Sequence, residues 1–232
     1  MCFSAGASFV GGVIISAIGV ASVRKVNKSS QLVFASIPLF FGIQQIVEGC
    51  LWLLLPEADH INAQITTTYL YLILAQVLWP TIIPVSVLLM EENKKRKKML
   101  YIFLGLGLLL SSYYAFCLIF FSVTPRINGY HILYTTTFPD FLSIPAFIVY
   151  LIATITPLFI SGISKTHFLA ILMFLSCLIT AIFFTQYLIS VWCFFAAIIS
   201  GVIYWILNDS KREFNFEILS LLKTGSDTNN AN

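Results

Sequence analysis

The chain has 232 residues, of which 59% are hydrophobic and 10% charged, with a net charge of +3. An ordinary globular protein carries about 25% charged residues, so this composition excludes a water-soluble globular domain. No basic patch alternates with aromatic residues on a polar segment, which excludes nucleic acid as a partner. Lipid is therefore the expected surroundings of most of the chain.

Seven stretches are each close to the length of about 20 apolar residues that a helix needs to cross a bilayer. They lie at residues 8–23, 32–55, 67–90, 99–121, 141–163, 168–184 and 187–207. Only Thr185 and Gln186 separate the last two, so that boundary is the least well defined. The pattern predicts an all-α membrane protein, a seven-transmembrane-helix bundle over residues 1–209. Apolar residues at helical spacing predict an amphipathic helix on the cytoplasmic surface at 210–223, followed by a disordered tail at 224–232.

The basic residues are distributed unevenly among the segments between these spans. If the seven spans alternate in direction, 12 of the 13 Lys and Arg residues fall on one side, and only Arg126 falls on the other. Cytoplasmic loops carry an excess of positive charge. The distribution therefore predicts that the N-terminus is outside and the C-terminus is in the cytoplasm.

The longest predicted loop runs from Ser122 to Asp140, on the outer side. Its Asn128-Gly129 pair is a turn signal, and His131 and Tyr134 follow it. Loops of this length on a compact bundle are often binding elements or lids. We expect this one to fold over the outer mouth of the bundle; the alternative is a disordered connector.

Glu48 is the only ionisable residue well inside a predicted span, where a charge costs roughly 2.5–3.5 kcal/mol at the centre of a helix. Gln44 and Trp52 lie one turn to either side of it, and Gln45 lies three residues before it. This face is predicted to point into the bundle. Glu48 is a candidate proton carrier, general base or metal ligand. The structural alternative is a protonated carboxyl group that is hydrogen-bonded to Gln44, Gln76 or a hydroxyl.

Four residues with metal-binding side chains fall at similar depth near the outer side once the spans are placed. Cys193, beside Trp192, lies near the outer end of the last span, Cys2 precedes the first span, and Glu48 and His131 complete the set. Cys, His and Glu are ligands of zinc and similar transition metals. The chain has no CxxC or HxxxH spacing, so the metal hypothesis depends on inferred depth alone. A disulfide or plain packing are the alternatives for the cysteines.

Three kinds of function remain open. The first is a metal- or thiol-dependent membrane enzyme in which Glu48 and His131 act as the catalytic pair at an outward-facing polar pocket. The second is a proton-linked small-solute transporter or a sensor without catalysis, and the third is a structural role. In the second case five residues would line a binding cavity, in which Glu48 takes up or releases a proton: Gln44, Gln45, Glu48, Gln76 and Trp79. The full set of candidate ligand-binding residues is Gln44, Gln45, Trp52, Gln76, Trp79, Tyr134 and Trp192.

Several short motifs together are typical of one family. They are Met-Cys-Phe-Ser-Ala at residues 1–5, the segment 38–49 with Trp52, Tyr69-Leu70-Tyr71, Trp79-Pro80, His131-Ile132 with Tyr134, and the segment 191–197. The chain thereby resembles an uncharacterised family of small bacterial integral membrane proteins, over nearly its whole length up to the last span. The resemblance implies a seven-helix bundle in a bacterial cytoplasmic membrane, and it implies no activity.

Overall fold

A computed structural model of the chain describes residues 4–183 and 195–209. The helices are α1 (Ala5–Val23), α2 (Leu32–Leu54), α3 (Ile61–Met90), α4 (Lys94–Phe120), α5 (Asp140–Ile160), α6 (Ser164–Phe183) and α7 (Ala196–Asp209). The first six are long and apolar enough to cross a membrane, and the described part of α7 is shorter. The turn predicted at Thr185 and Gln186, the helix predicted at 210–223 and the tail predicted at 224–232 lie outside the described residues.

Two helices begin at least five residues earlier than the apolar pattern predicts, because polar turns extend them. α3 begins at Ile61 and not near Thr67, and α4 begins at Lys94 and not near Met99. The side chain of Asn93 accepts hydrogen bonds from the backbone N–H groups of Lys95 and Arg96, at 2.9 and 3.3 Å. This N-cap stabilises a first turn made entirely of basic residues.

α1 and α2 pack closely along a line of small residues. A Cβ atom on Gly12 would lie 3.1 Å from Gly42 O, and one on Gly19 would lie 2.8 Å from Leu39 N. On the opposite helix, a Cβ on Gly42 would overlap Ser16. Small residues that let two helix backbones approach are typical of packing between apolar helices. The glycines on this face of α1 therefore let its backbone lie directly against α2.

α3 contains one π-helical segment, Ile73–Leu78, directly before two prolines. In a π-helix the N–H of each residue bonds to the carbonyl five residues earlier. Pro80 has no N–H group, so Ala75 O lacks this helical partner. Ala75 O instead accepts a hydrogen bond from the Tyr150 hydroxyl of α5, at 2.8 Å. Ser111 of α4 donates to Val77 O at 2.7 Å. Two neighbouring helices thus satisfy carbonyl groups of the irregular turn.

The connections that carry most of the basic residues meet at one end of the bundle, here called the basic end. Lys28 pairs with Glu92 at 3.2 Å, which joins the α1–α2 connection to the α3–α4 connection. Gly162 N, between α5 and α6, donates to Glu91 Oε2 at 2.6 Å. Lys165 pairs with Asp209 at the end of α7. The loops predicted to share one side are therefore neighbours in space.

The connection between α4 and α5 forms an antiparallel hairpin of β1 (Val123–Asn128) and β2 (His131–Thr136), which departs from the purely helical prediction. Asn128 pairs with His131, so the turn is Gly129-Tyr130, and Gly129 has a φ of +60°. A positive φ at the first turn residue alone identifies a type II′ turn, whose twist matches paired strands. Ile132 is completely buried, so the segment is an ordered cover on the bundle and not a loose connector.

Candidate functional site

A cavity of about 180 Å³ lies inside the bundle. Its wall is formed by residues of α2 through α7; α1 does not contribute. Two residues of α7, Ile199 and Ile203, complete the wall, so the last helix is an integral part of the site.

One side of the cavity is built from an aromatic pair and a glutamine. The indole Nε1 of Trp79 donates to Gln44 Oε1 at 2.9 Å. The ring of Phe41 stacks on Trp79 with 4.1 Å between ring centroids. Phe41 and Gln44 are three residues apart on α2 and so share a face. Trp79 is thereby held in one orientation, with its polar edge already bonded and its flat surface packed.

Gln76 reaches the cavity from the π-helical segment of α3. Its Oε1 atom is buried and has no hydrogen-bond partner among the described residues. A buried acceptor without a partner costs about 1–3 kcal/mol. π-Helical turns often occur at functional sites, because the extra residue redirects side chains. The chain thus maintains an unfavourable polar group in the cavity wall.

Tyr150 and Thr154 of α5 also contribute polar groups to the wall. The hydroxyl of Tyr150 is bonded to Ala75 O, and Thr154 Oγ1 donates to Tyr150 O at 2.7 Å. The sequence reasoning missed both residues. A tyrosine and a threonine within an apolar span were the available signal, but the partner of Tyr150 is 75 residues away along the chain.

The described residues that line the cavity are all uncharged. The polar groups are two carboxamides, two phenols, one hydroxyl and one indole; the remainder of the wall is aliphatic or aromatic. An unpaired charge in such surroundings is strongly disfavoured. The wall therefore suits a neutral molecule.

Glu48 and Gln45 are completely buried on α2 but do not line this cavity. Val47 and Leu51, which flank Glu48, belong to a second apolar cluster together with Ile132 of the hairpin. Glu48 thus lies one helical turn from Gln44, in the part of α2 that the hairpin covers. The sequence placed it correctly inside the helical assembly; its chemical role is a separate question.

The hairpin contacts the bundle through stacked tyrosines. The rings of Tyr134 and Tyr71 are 5.1 Å apart and nearly parallel, and Trp52 packs beside them. His131 is partly buried, and this burial lowers its pKa below the ordinary value of 6.5. Burial therefore favours the neutral imidazole, which is the form that acts as a metal ligand.

Three predicted site residues, Cys2, Trp192 and Cys193, lie outside the described residues. The four-residue metal set consequently stays a prediction, with only Glu48 and His131 located. Cys50, Cys117 and Cys177 are free thiols in the structure. Of the predicted ligand-binding residues, Gln44, Gln76 and Trp79 line the cavity. Trp52 and Tyr134 instead pack against the apolar cluster that includes Ile132 of the hairpin.

Comparison with known proteins finds one relationship. A model of a family of unknown function, DUF6629, matches residues 1–216. No curated protein and no solved structure matches the chain.

Proposed function

The chain belongs to the family of unknown function DUF6629, and we propose that it is a multi-pass membrane protein that binds a small molecule in the cavity between its helices. In this proposal it acts as a sensor or a carrier and performs no catalysis. The observation on which the proposal depends is the neutral, mostly apolar cavity with Gln44, Gln76 and Trp79 in its wall.

The cavity is favoured as the binding site because several features that shape its wall reduce the stability of the protein. The π-helical turn, two prolines and the buried acceptor of Gln76 are each less stable than a regular apolar helix would be. Pockets that bind small molecules are typically apolar with a few polar groups that orient the ligand. Three of the residues that we predicted from the sequence for the transporter or sensor function meet there.

A substitution that fills the cavity tests this proposal. Ile199 lines the cavity and is buried, whereas its neighbour Ile198 is 50% exposed on the outside of α7. We expect toluene to raise the thermal unfolding midpoint of the wild-type protein in lipid nanodiscs but not that of Ile199→Phe. The matched variant Ile198→Phe should respond as the wild type does.

The same measurement can contradict the proposal. Equal responses of Ile199→Phe and the wild type would place toluene elsewhere, in the lipid or on the protein surface. No response of the wild type over the soluble range of toluene would show that the cavity takes up no such ligand.

We further propose that the bundle crosses a membrane with its basic end in the cytoplasm and its hairpin outside. Six helices are long and apolar enough to cross. Nine basic residues lie on the connections of the basic end or in the helix turns next to them. Positive charge accumulates on the cytoplasmic side of membrane proteins. Glu48 would then lie near the outer side of the bundle, beneath the hairpin.

Labelling of introduced cysteines tests the orientation. Tyr130 at the hairpin turn is 76% exposed, and the side chain of Glu92 at the basic end is 85% exposed. We expect a membrane-impermeant maleimide to label Tyr130→Cys in intact cells above the background of the parent chain. Glu92→Cys should be labelled only after permeabilisation. The reverse pattern would invert the orientation, and labelling of both in intact cells would argue against a membrane-spanning bundle.

A further inference from the structure

The size of the cavity limits its ligand to about one ring. An apolar protein cavity of about 150 Å³ holds one molecule of benzene, and this cavity measures about 180 Å³. Its wall includes the aromatic side chains of Trp79, Phe41 and Tyr114. Aromatic rings pack favourably against such side chains in offset or edge-to-face arrangements. A flat ring with one or two substituents fits these dimensions.

The absence of charged side chains among the described wall residues limits the ligand to uncharged molecules. No Lys, Arg, His, Asp or Glu is present among the described residues that line the cavity. A carboxylate or an ammonium group on the ligand would be buried there without a partner, which is strongly unfavourable. The ligand is therefore neutral in its bound form.

One unsatisfied hydrogen-bond acceptor in the wall indicates which polar group the ligand carries. Three N–H or O–H donors of the wall are already used within the protein, because Trp79 donates to Gln44, Tyr150 to Ala75 and Thr154 to Tyr150. Gln76 Oε1, in contrast, is a buried acceptor without a partner among the described residues. A ligand that donates a hydrogen bond would remove this deficit, and one without a donor would leave it.

We infer that the cavity binds a small neutral aromatic molecule with a hydroxyl or N–H donor, that is, a compound of the phenol, aniline or indole class. The donor is bonded to the carboxamide of Gln76, and the ring lies against Trp79 and its aromatic neighbours. This inference rests on the proposed function of the cavity and specifies the class of its ligand.

A series of fluorinated probes tests the inference on the wild-type protein. The probes are 4-fluorophenol, 4-fluorotoluene, 4-fluoroanisole and 4-fluorobenzoate, and binding is followed by ¹⁹F NMR in nanodiscs, with protein-free nanodiscs to correct for partitioning into lipid. Phenol and toluene have nearly the same shape, anisole has an acceptor but no donor, and benzoate is charged. One hydrogen bond adds about fivefold in affinity. We therefore expect 4-fluorophenol to bind about fivefold more tightly than 4-fluorotoluene and 4-fluoroanisole, and 4-fluorobenzoate not to bind.

The variant Gln76→Leu identifies the acceptor. Leucine has a similar volume but no polar group, so 4-fluorotoluene should still bind while the advantage of 4-fluorophenol disappears. Retention of 4-fluorotoluene shows at the same time that the variant is folded.

The outcomes separate this inference from the proposed function. If none of the four probes binds the wild type, the cavity is not a binding site and both proposals fail. If 4-fluorotoluene or 4-fluoroanisole binds as tightly as 4-fluorophenol, or 4-fluorobenzoate binds, only the inferred ligand class is wrong. If the advantage of 4-fluorophenol persists in Gln76→Leu, the assignment of the donor to Gln76 is overturned.

Discussion

Replacement of Gly107 by alanine is expected to destabilise the protein by about 3 kcal/mol, at the upper end of the cost of overpacking. A Cβ atom at this position would overlap the carbonyl oxygen of Pro80, which is backbone and cannot turn away. In a regular helix that carbonyl would accept from residue 84, but Pro84 has no N–H group. α4 therefore approaches α3 where α3 is already irregular, and only glycine leaves enough room.

The measurement is the free energy of unfolding in mixed detergent and SDS micelles, with Gly105→Ala as the control. Gly105 lies on the same helix two residues earlier, and a Cβ there would meet nothing within 4 Å. Because alanine favours a helix over glycine by up to about 1 kcal/mol, the control should be neutral or slightly stabilising. A Gly107→Ala variant as stable as Gly105→Ala would show that the two helices do not pack as closely as described.

Replacement of Glu91 by glutamine is expected to cost about 2 kcal/mol, the usual value of a hydrogen bond to a charged group. The carboxylate of Glu91 is 6% exposed and follows the end of α3. It accepts from the backbone N–H groups of Gly162 and Asn93, at 2.6 and 2.9 Å, and lies 4.0 Å from Arg96 Nη1. The glutamine amide carries no negative charge. Its NH₂ group cannot accept a hydrogen bond, so only its oxygen could still bond to the N–H groups of Gly162 and Asn93. The effect is again measured as the free energy of unfolding at pH 7.

The contribution of Glu91 should depend on pH. Burial alone would raise its pKa, but the backbone N–H donors of Asn93 and Gly162 and the charge of Arg96 outweigh burial, so the pKa is held below its ordinary value of 4.5. The Glu91 carboxylate then binds a proton less readily in the folded state than in the unfolded state. The stabilisation is present in full above the ordinary pKa and is lost as the pH falls through the lower folded pKa. The difference between the wild type and Glu91→Gln should therefore shrink below about pH 4.5.

The adjacent residue Glu92 is the control for Glu91. Its side chain is 85% exposed and pairs only with Lys28, whose side chain is 58% exposed. Exposed ion pairs contribute about 0–1 kcal/mol, so Glu92→Gln should change stability little at any pH. Equal effects of the two substitutions would mean that the contact between Glu91 and the connection at Gly162 does not stabilise the fold.

The six long apolar helices and the shared end of the basic residues were determined by the sequence alone. A helix in an apolar environment must satisfy its own backbone and must be about 20 residues long, so each span is a local property. The inward position of Gln44, Gln45 and Glu48 also followed locally, because three polar residues on one helix face have no other favourable place.

The cavity and the hairpin were decided only by the tertiary structure. The π-helical turn exists because Tyr150 and Ser111 supply donors from other helices, and no local pattern encodes a partner 75 residues distant. The strands of the hairpin are likewise stabilised by contacts with distant residues. Ile132 belongs to the same apolar cluster as Val47 and Leu51, and Tyr134 stacks on Tyr71. The position of each polar residue along its predicted helix indicated which of these residues lie at a similar depth in the bundle. Side-chain packing then separated Gln44, Gln76 and Trp79 in the cavity from Glu48 and the residues beneath the hairpin.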